Sequence, residues 1–213
     1  MQKRITVIAG HFGCGKTNIA VNLALALAEE GKKCCLVDLD IVNPYFRSAD
    51  NEKQLKEAGV RPILPEFANT NVDIPSLPKE YGSVFVTDEC AVIDVGGDSD
   101  GATALGVHHQ QYEACWYSMY YYVYNYYRPY ISDPRAAAIL LKEIEASSRM
   151  KFCGIINNSN LGAETTREDV EASFASCGEL CRLTDLPLAA VTAFPENLPK
   201  GGVPIKDVTR KLF

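Results

Sequence analysis

The chain alternates between short, unbroken apolar runs and longer stretches whose apolar positions recur at helical spacing. Arg4-Ile5-Thr6-Val7-Ile8-Ala9 is rich in β-branched residues and predicts a strand. Beyond a glycine-rich turn, Ile19, Ala20, Leu23, Ala24, Leu27 and Ala28 repeat at the spacing of one helix face as far as Gly31, a helix stop. The same reading predicts strands over residues 33–38, 61–64, 90–94, 114–123, 152–157 and 188–193. It predicts helices over 51–58, 101–111, 136–147 and 164–183. Residues 41–50, with Pro44, read as a loop, and residues 65–78, with Pro65, Pro75 and Pro78, as an irregular surface excursion.

Apolar strands that alternate with helices predict the α/β class, with a single doubly wound, mostly parallel sheet covered by helices on both faces. No internal repeat or linker interrupts the pattern, so residues 1–213 are expected to form one domain. At 47% hydrophobic and 23% charged residues, the chain can bury a sizeable core. The net charge of −6, without a run of Lys or Arg, argues against nucleic-acid binding by a basic face. The first strand begins almost at the N-terminus and no apolar run approaches eighteen residues. Neither a signal peptide nor a membrane span is therefore expected. The eight cysteines form no C-x-x-C pair and fall mostly within predicted strands and helices, as expected of a cytoplasmic, thiol-reduced protein.

Candidate chemistry is concentrated between the first strand and the first helix. Gly10-His11-Phe12-Gly13-Cys14-Gly15-Lys16-Thr17 fits the phosphate-loop pattern G-x-x-x-x-G-K-[ST]. The glycines allow a tight backbone turn whose N–H groups point at phosphate oxygens. Lys16 reaches the β- and γ-phosphates, the Thr17 hydroxyl ligates Mg2+, and the helix entered through Asn18 offers its positive end to the same anion.

In an open parallel sheet, ligands sit at the carboxyl ends of the strands. Those ends deliver Asp38 and Asp40 after the second strand and Asp94, followed by Gly97, after the strand over 90–94. Asn157, Asn158 and Asn160 follow the strand over 152–157. A carboxylate at such a position holds Mg2+ or its waters, or orients an attacking water. Asp94 and Gly97 make a D-x-x-G pattern whose glycine N–H is placed to sense a γ-phosphate.

The stretches GHFGCGKTNIAVNLALALAEEGKKCCLVDLD, AVIDVGGD and GIINNSN, in this order, resemble the MinD/ParA/nitrogenase-iron-protein class of P-loop ATPases, the SIMIBI class. The resemblance is good over residues 4–50 and 88–101, moderate over 115–195 and weak over 51–87. It implies a P-loop NTPase fold that binds ATP and Mg2+, hydrolyses ATP slowly and moves a protein partner between two states through ATP-driven homodimerisation. It implies that Lys16 and Asp40, assisted by Asp38, carry catalysis, with Asp40 supporting water activation. The cation falls to Thr17, Asp40 and Asp94. Nucleotide contacts fall to Gly10, His11, Phe12, Gly13, Cys14, Gly15, Lys16, Thr17, Asn18 and Gly97, with adenine recognised by Asn157 or Asn158.

Three departures from the class pattern stand out. The signature Lys that reaches a partner subunit's phosphates is His11 here, followed by Phe12 where the class has Gly. An imidazole is a poorer phosphate ligand than an ammonium. The cluster-ligating Cys expected after the D-x-x-G of the nitrogenase iron protein is replaced by the region Ser99, Asp100, Gly101, which argues against a subunit-bridging iron–sulfur cluster. Asn157-Asn158-Ser159-Asn160 lacks the Lys and Asp of the guanine-reading N-K-x-D, which favours ATP over GTP. A metallochaperone-type GTPase and a nucleotide-sensing module with little turnover remain as alternatives.

Residues 112–130 hold nine of the eleven tyrosines, together with Trp116, and read as an aromatic-rich buried strand with an amphipathic exit, or alternatively as an aromatic surface for stacking a base or a partner. Arg128 follows that strand, at a carboxyl end from which a side chain can approach a nucleotide. Cys177 and Cys181 share a helix face but have no neighbouring His, so they read as structural thiols. His108 and His109, adjacent on a helix, point apart. The tail over 205–213, with Lys206, Asp207, Arg210 and Lys211, is too short and too mixed in charge for a membrane anchor.

Overall fold

The computed structural model describes residues 4–40, 49–65, 77–97, 99–115 and 119–208. Its strands are β1 (Ile5–Gly10), β2 (Cys34–Leu39), β3 (Val60–Ile63), β4 (Cys90–Val95), β5 (Met119–Tyr124), β6 (Gly154–Asn157), β7 (Leu188–Ala193) and β8 (Val203–Pro204). They form one eight-stranded sheet in the order β3-β2-β4-β1-β5-β6-β7-β8, with every neighbouring pair parallel. The sheet fits the α/β architecture expected from the alternation of runs. All six residues of β1 and of β2 are buried, because helices on both faces exclude water from either side of a parallel sheet. Hence the runs are continuously apolar instead of alternating.

β1 lies between β4 and β5, with Ile8 opposite Asp94 on one side and Gly10 opposite Val123 on the other. This register brings the ends of three strands to one edge. Helix α1 (Lys16–Glu29) leaves that edge directly from the glycine loop and ends before Gly31, which has φ 76°. Helix α2 (Ala49–Glu57) precedes β3, and α5 (Pro134–Ser148) starts at Asp133, whose side chain accepts from the Arg135 N–H ahead of a Pro at the first helical position.

Three predicted elements differ from the pattern-based expectation, and two further elements were not expected. The helix predicted over 101–111 is two helices, α3 (Ser99–Gly106) and α4 (His109–Ala114). At Gly106 the backbone is pressed against the end of α5: a Cβ there would sit 2.8 Å from the Ser147 carbonyl, so the chain must change direction. The strand predicted over 114–123 starts later. Tyr112 is fully buried within α4, its hydroxyl 2.6 Å from that of Tyr81, and Ala114 ends this helix before β5 begins at Met119. Packing thus overrides the strand preference of the aromatic run.

The helix predicted over 164–183 is a 3-10 turn (Gly162–Glu164), α6 (Arg167–Ala172) and α7 (Phe174–Thr184). Thr166 and Asp169 form a capping box that starts α6. The break falls at Ser173, whose buried hydroxyl donates to the Val170 carbonyl and accepts from Asn157 Nδ2. A 3-10 helix over Lys79–Phe85 and the two-residue β8 carry no periodic signal and were not anticipated. The loop expected over 41–50 lies outside the described residues except for 49–50, which open α2. The excursion over 65–78 is described only at 65 and 77–78.

Gly10 sets how closely the first loop can approach its neighbour. It has φ 146°, and a Cβ there would lie 2.5 Å from the Val123 carbonyl oxygen. Gly10→Ala is expected to cost at least about 2 kcal/mol of folding free energy, from backbone strain together with the clash. Urea unfolding checks this, and a parent-like midpoint would contradict it.

Candidate functional site

The loop between β1 and α1 is shaped by three glycines with positive φ: Gly10, Gly13 (73°) and Gly15 (89°). Its inner turn is closed by the Cys14 N–H donating to the His11 carbonyl at 3.3 Å. The side chain of Asn158, immediately after β6, holds the loop from below. Its Nδ2 donates to the Cys14 carbonyl at 2.9 Å, and its Oδ1 accepts from Thr192 Oγ1 at 2.8 Å. A Cβ on Gly15 would fall 2.3 Å from that Nδ2, so this position requires glycine for space as well as for φ. Helix α1 starts from Gly15 with no side-chain cap and no acidic residue in its first turn. Its leading N–H groups therefore face the loop as an anion-binding end.

Charged groups converge beside this end. Lys16 is buried, and its Nζ donates to the His11 carbonyl at 3.2 Å. Thr17 Oγ1 donates to Asp94 Oδ2 at 2.6 Å, while Asp94 Oδ1, equally buried, has no hydrogen-bond partner among the described residues. Burial pushes the Asp94 carboxyl up to about 6. The Lys16 cation and the Thr17 hydrogen bond oppose that rise, and the Asp40 carboxylate adds to it. Asp38 is fully buried, and its Oδ1 accepts from the Asp40 N–H at 2.9 Å, fixing the turn that presents Asp40. A desolvated carboxylate oxygen without a donor, a hydroxyl on its other oxygen and a second carboxylate nearby fit a hard divalent cation such as Mg2+.

The segment after β4 crosses directly over the loop. A Cβ on Gly97 would lie 2.6 Å from the Phe12 nitrogen and 3.1 Å from Lys16 Nζ, so only glycine fits. On the β5 side, the Arg128 guanidinium packs against Gly13, with Cζ 3.5 Å from where a Cβ would stand. His11 Nδ1 lies 2.8 Å from the Phe12 carbonyl, and its ring tilts against Tyr130 at a centroid distance of 5.7 Å. Phe12 itself is 62% exposed.

The residues predicted from sequence therefore divide by position. Gly10 through Thr17, Asp38, Asp40, Asp94 and Gly97 meet at one edge. Asn157 is buried with its polar atoms committed to Ser159 and Ser173, and Asn158 is committed to the loop and to Thr192. Asn18 follows Thr17, but its Oδ1 accepts from the Val208 N–H at 3.0 Å, so it binds the C-terminal segment to α1. Sequence reasoning missed the supporting roles of Thr192, Ser159 and Ser173. Ser159 alone had a trace, lying in the run of hydrogen-bonding side chains over residues 157–160.

Tyr122 and Tyr124 are buried in β5, in keeping with an aromatic strand. His108 is the N-cap of α4 and packs edge-on to Tyr81, apart from His109, whose Nδ1 meets the Gly106 carbonyl. Cys177 is buried and Cys181 half-buried one turn along α7. Among the described residues no three His, Cys, Asp or Glu side chains gather as a metal centre. No described helix is long and apolar enough to cross a membrane.

Residues 1–83 match a family model for ParA, described as the NUBPL iron-transfer P-loop NTPase. The chain is 40% identical over 72 residues to an iron-sulfur cluster carrier protein of Escherichia coli K12, a stretch covering 32% of this chain and 20% of that protein. It is 54% identical over 37 residues to the antiactivator FleN of Pseudomonas aeruginosa, covering 17% of this chain and 13% of that protein. The matched stretches thus span a fifth or less of the length of these curated relatives. Among solved structures, the septum site-determining protein MinD of Pyrococcus horikoshii, complexed with Mg-ADP, superposes with a TM-score of 0.53 at 20% identity. That match covers 90% of this chain and 81% of that one, and it speaks for the fold.

The raised Asp94 carboxyl makes stability depend on pH. The folded state holds this proton more tightly than the unfolded chain, so the contribution is complete below the unfolded value of 3.8 and is lost as pH rises through about 6. In metal-free buffer, the parent is expected to lose about 1.4 kcal/mol relative to Asp94→Asn between pH 5 and pH 8. Paired urea titrations read this difference, and a gap that stays constant with pH would refute it.

Proposed function

We propose that this chain, a P-loop NTPase of the MinD/ParA-like class, is a Mg2+-dependent ATP-binding switch that hydrolyses ATP slowly and acts on a protein partner. One observation carries the reading: beneath an uncapped helix end, the Thr17 hydroxyl and a buried oxygen of Asp94 that has no partner among the described residues form a site suited to a hard cation. The loop N–H groups and Lys16 bind the β- and γ-phosphates, and Lys16 exchanges its bond to the His11 carbonyl for phosphate oxygens. Thr17, Asp94 and Asp40 would hold Mg2+, which would supply charge neutralisation on these phosphates. Asp40, fixed by Asp38, orients the attacking water. Gly97, in contact with Phe12, responds to a γ-phosphate through its N–H and passes the change to the segment after β4.

The reading takes residues 1–213 as one nucleotide-binding domain, since the described strands all join one sheet. ATP is preferred over GTP because Asn157-Asn158-Ser159-Asn160 has no carboxylate to pair with guanine. Adenine then lies against the β6 end, near Asn157 and Asn158. Eight cysteines free of disulfides suit the reducing cytoplasm. The partner is a protein, and a nucleotide-dependent homodimer is the form in which it is engaged.

A second reading has its own support. The family model is described by iron transfer, and one relative is an iron-sulfur cluster carrier. On that reading the protein is a metallochaperone-type NTPase whose cargo is a metal or cluster, and a clear preference for GTP in competition binding would favour its GTPase form. If the protein instead binds ATP tightly but neither turns it over nor dimerises, it is a sensor that works only with its partner.

Lys16→Ala is expected to abolish ATP turnover while preserving the melting temperature, and unchanged turnover would remove the loop from the chemistry. Asp40→Ala is expected to retain ATP binding but slow hydrolysis by about 10²- to 10⁴-fold, the range lost with a positioned acid–base group. Equal single-turnover rates would exclude Asp40. Mass measurements with and without a non-hydrolysable ATP analogue test the homodimer.

A further inference from the structure

The cations around the loop leave one without an assigned use. Lys16 is already assigned to the β- and γ-phosphates, and the position of the class's signature Lys is occupied by His11, whose ring is held between the Phe12 carbonyl and Tyr130. Arg128 is different. Its backbone is fixed by a double tie between the β5 and β6 ends, while its head group is exposed and makes no ion pair or hydrogen bond among the described residues.

The fixing is extensive. Arg128 N–H donates to the Asn125 carbonyl at 3.1 Å, and the Arg128 carbonyl accepts from the Ile131 N–H at 3.0 Å. Asn125 is fully buried. Its Oδ1 accepts from the Tyr127 N–H at 3.0 Å, and its Nδ2 donates to the Asn160 carbonyl at 3.3 Å. Ser159 Oγ accepts from the Tyr126 N–H at 2.9 Å. The turn carrying Arg128 is therefore joined to the same β6 segment whose Asn158 holds the phosphate loop.

The head group is also oriented. From the Cβ position of Gly13, Arg128 Cζ, Nε and Nη1 lie at 3.5, 3.6 and 3.7 Å. Three nearly equal distances mean that the guanidinium presents its flat face to the Gly13 backbone, leaving its N–H edges directed around the loop rim. A planar fork of donors seated on an anion-binding loop matches phosphate oxygens, which it can bind through two hydrogen bonds at once. A Cβ at Gly13 would meet it at van der Waals distance, so the guanidinium rests directly on this face of the loop.

We propose that Arg128 is a second phosphate ligand supplied by the same chain: its guanidinium, seated on Gly13, clamps the phosphates of the nucleotide in the loop. This rests on the nucleotide-binding reading above and assigns within one subunit the cationic contact that the class takes from a partner's Lys. The loop phosphates are then bound between Lys16 on one side and Arg128 on the other. Nucleotide affinity consequently does not require a second copy.

The test compares parent, Arg128→Ala and Arg128→Lys for binding of ATP and ADP with Mg2+, at low and at high salt, and for ATP turnover. Arg128→Ala is expected to melt with the parent in the absence of nucleotide, since the side chain is exposed. Its nucleotide affinity is expected to fall about 10- to 100-fold, the worth of a charge-assisted bidentate contact, with a shallower salt dependence and lower turnover. Arg128→Lys should recover the salt dependence but only part of the affinity. Parent-like affinity and turnover in Arg128→Ala would overturn the clamp while leaving the nucleotide reading intact. A parent protein that binds neither nucleotide would overturn both.

Discussion

The structure depends on holding a short glycine loop open against the ends of three strands. A backbone in the left-handed region with unsatisfied N–H groups is costly unless neighbours fix it. Here the neighbours are specific: the Val123 carbonyl against Gly10, Asn158 against Cys14 and Gly15, and the Phe12 backbone against Gly97. Each contact removes the room for a side chain on the glycine that makes it. The loop is thereby a rigid cradle before any ligand arrives, which lowers the ordering cost of binding an anion.

The same packing creates the electrostatic imbalance at the site. Ile8 and Asp94 are opposite each other in adjacent, fully covered strands, so the Asp94 carboxylate is taken out of water. Lys16 and the Thr17 hydroxyl compensate only partly, and one carboxylate oxygen has no donor among the described residues. Such an arrangement is unfavourable in the free protein and would become favourable on binding a cation, as the proposed function requires.

The β6 end links the two halves of the site. Asn157 reaches Ser173 and fixes where α6 gives way to α7, Asn158 holds the phosphate loop, and Ser159 with Asn160 holds the turn that carries Arg128. Three consecutive side chains and the backbone of Asn160 thus set the position of the loop, a helix break and a cation. Their role is mechanical support of the glycine loop, which explains why so many hydrogen-bonding groups are buried there without facing solvent.

The sequence alone determined the sheet, most of its strands, the phosphate loop and the acidic strand ends. Each is encoded locally: a β-branched run covered on both faces stays apolar throughout, and a loop that turns tightly enough to expose its N–H groups needs glycines at fixed spacing. Only the tertiary structure decided where helices break, because Ser173 stops a periodic stretch through a bond to Asn157, far away in sequence, and Gly106 does so against α5. It also decided that Tyr112 belongs to a helix, that Asn18 serves the C-terminal segment, and that Arg128 sits on Gly13. These outcomes depend on the three-dimensional position of a partner that local pattern does not specify, since hydrogen bonds and close contacts between distant strand ends form only once the sheet has brought those ends together.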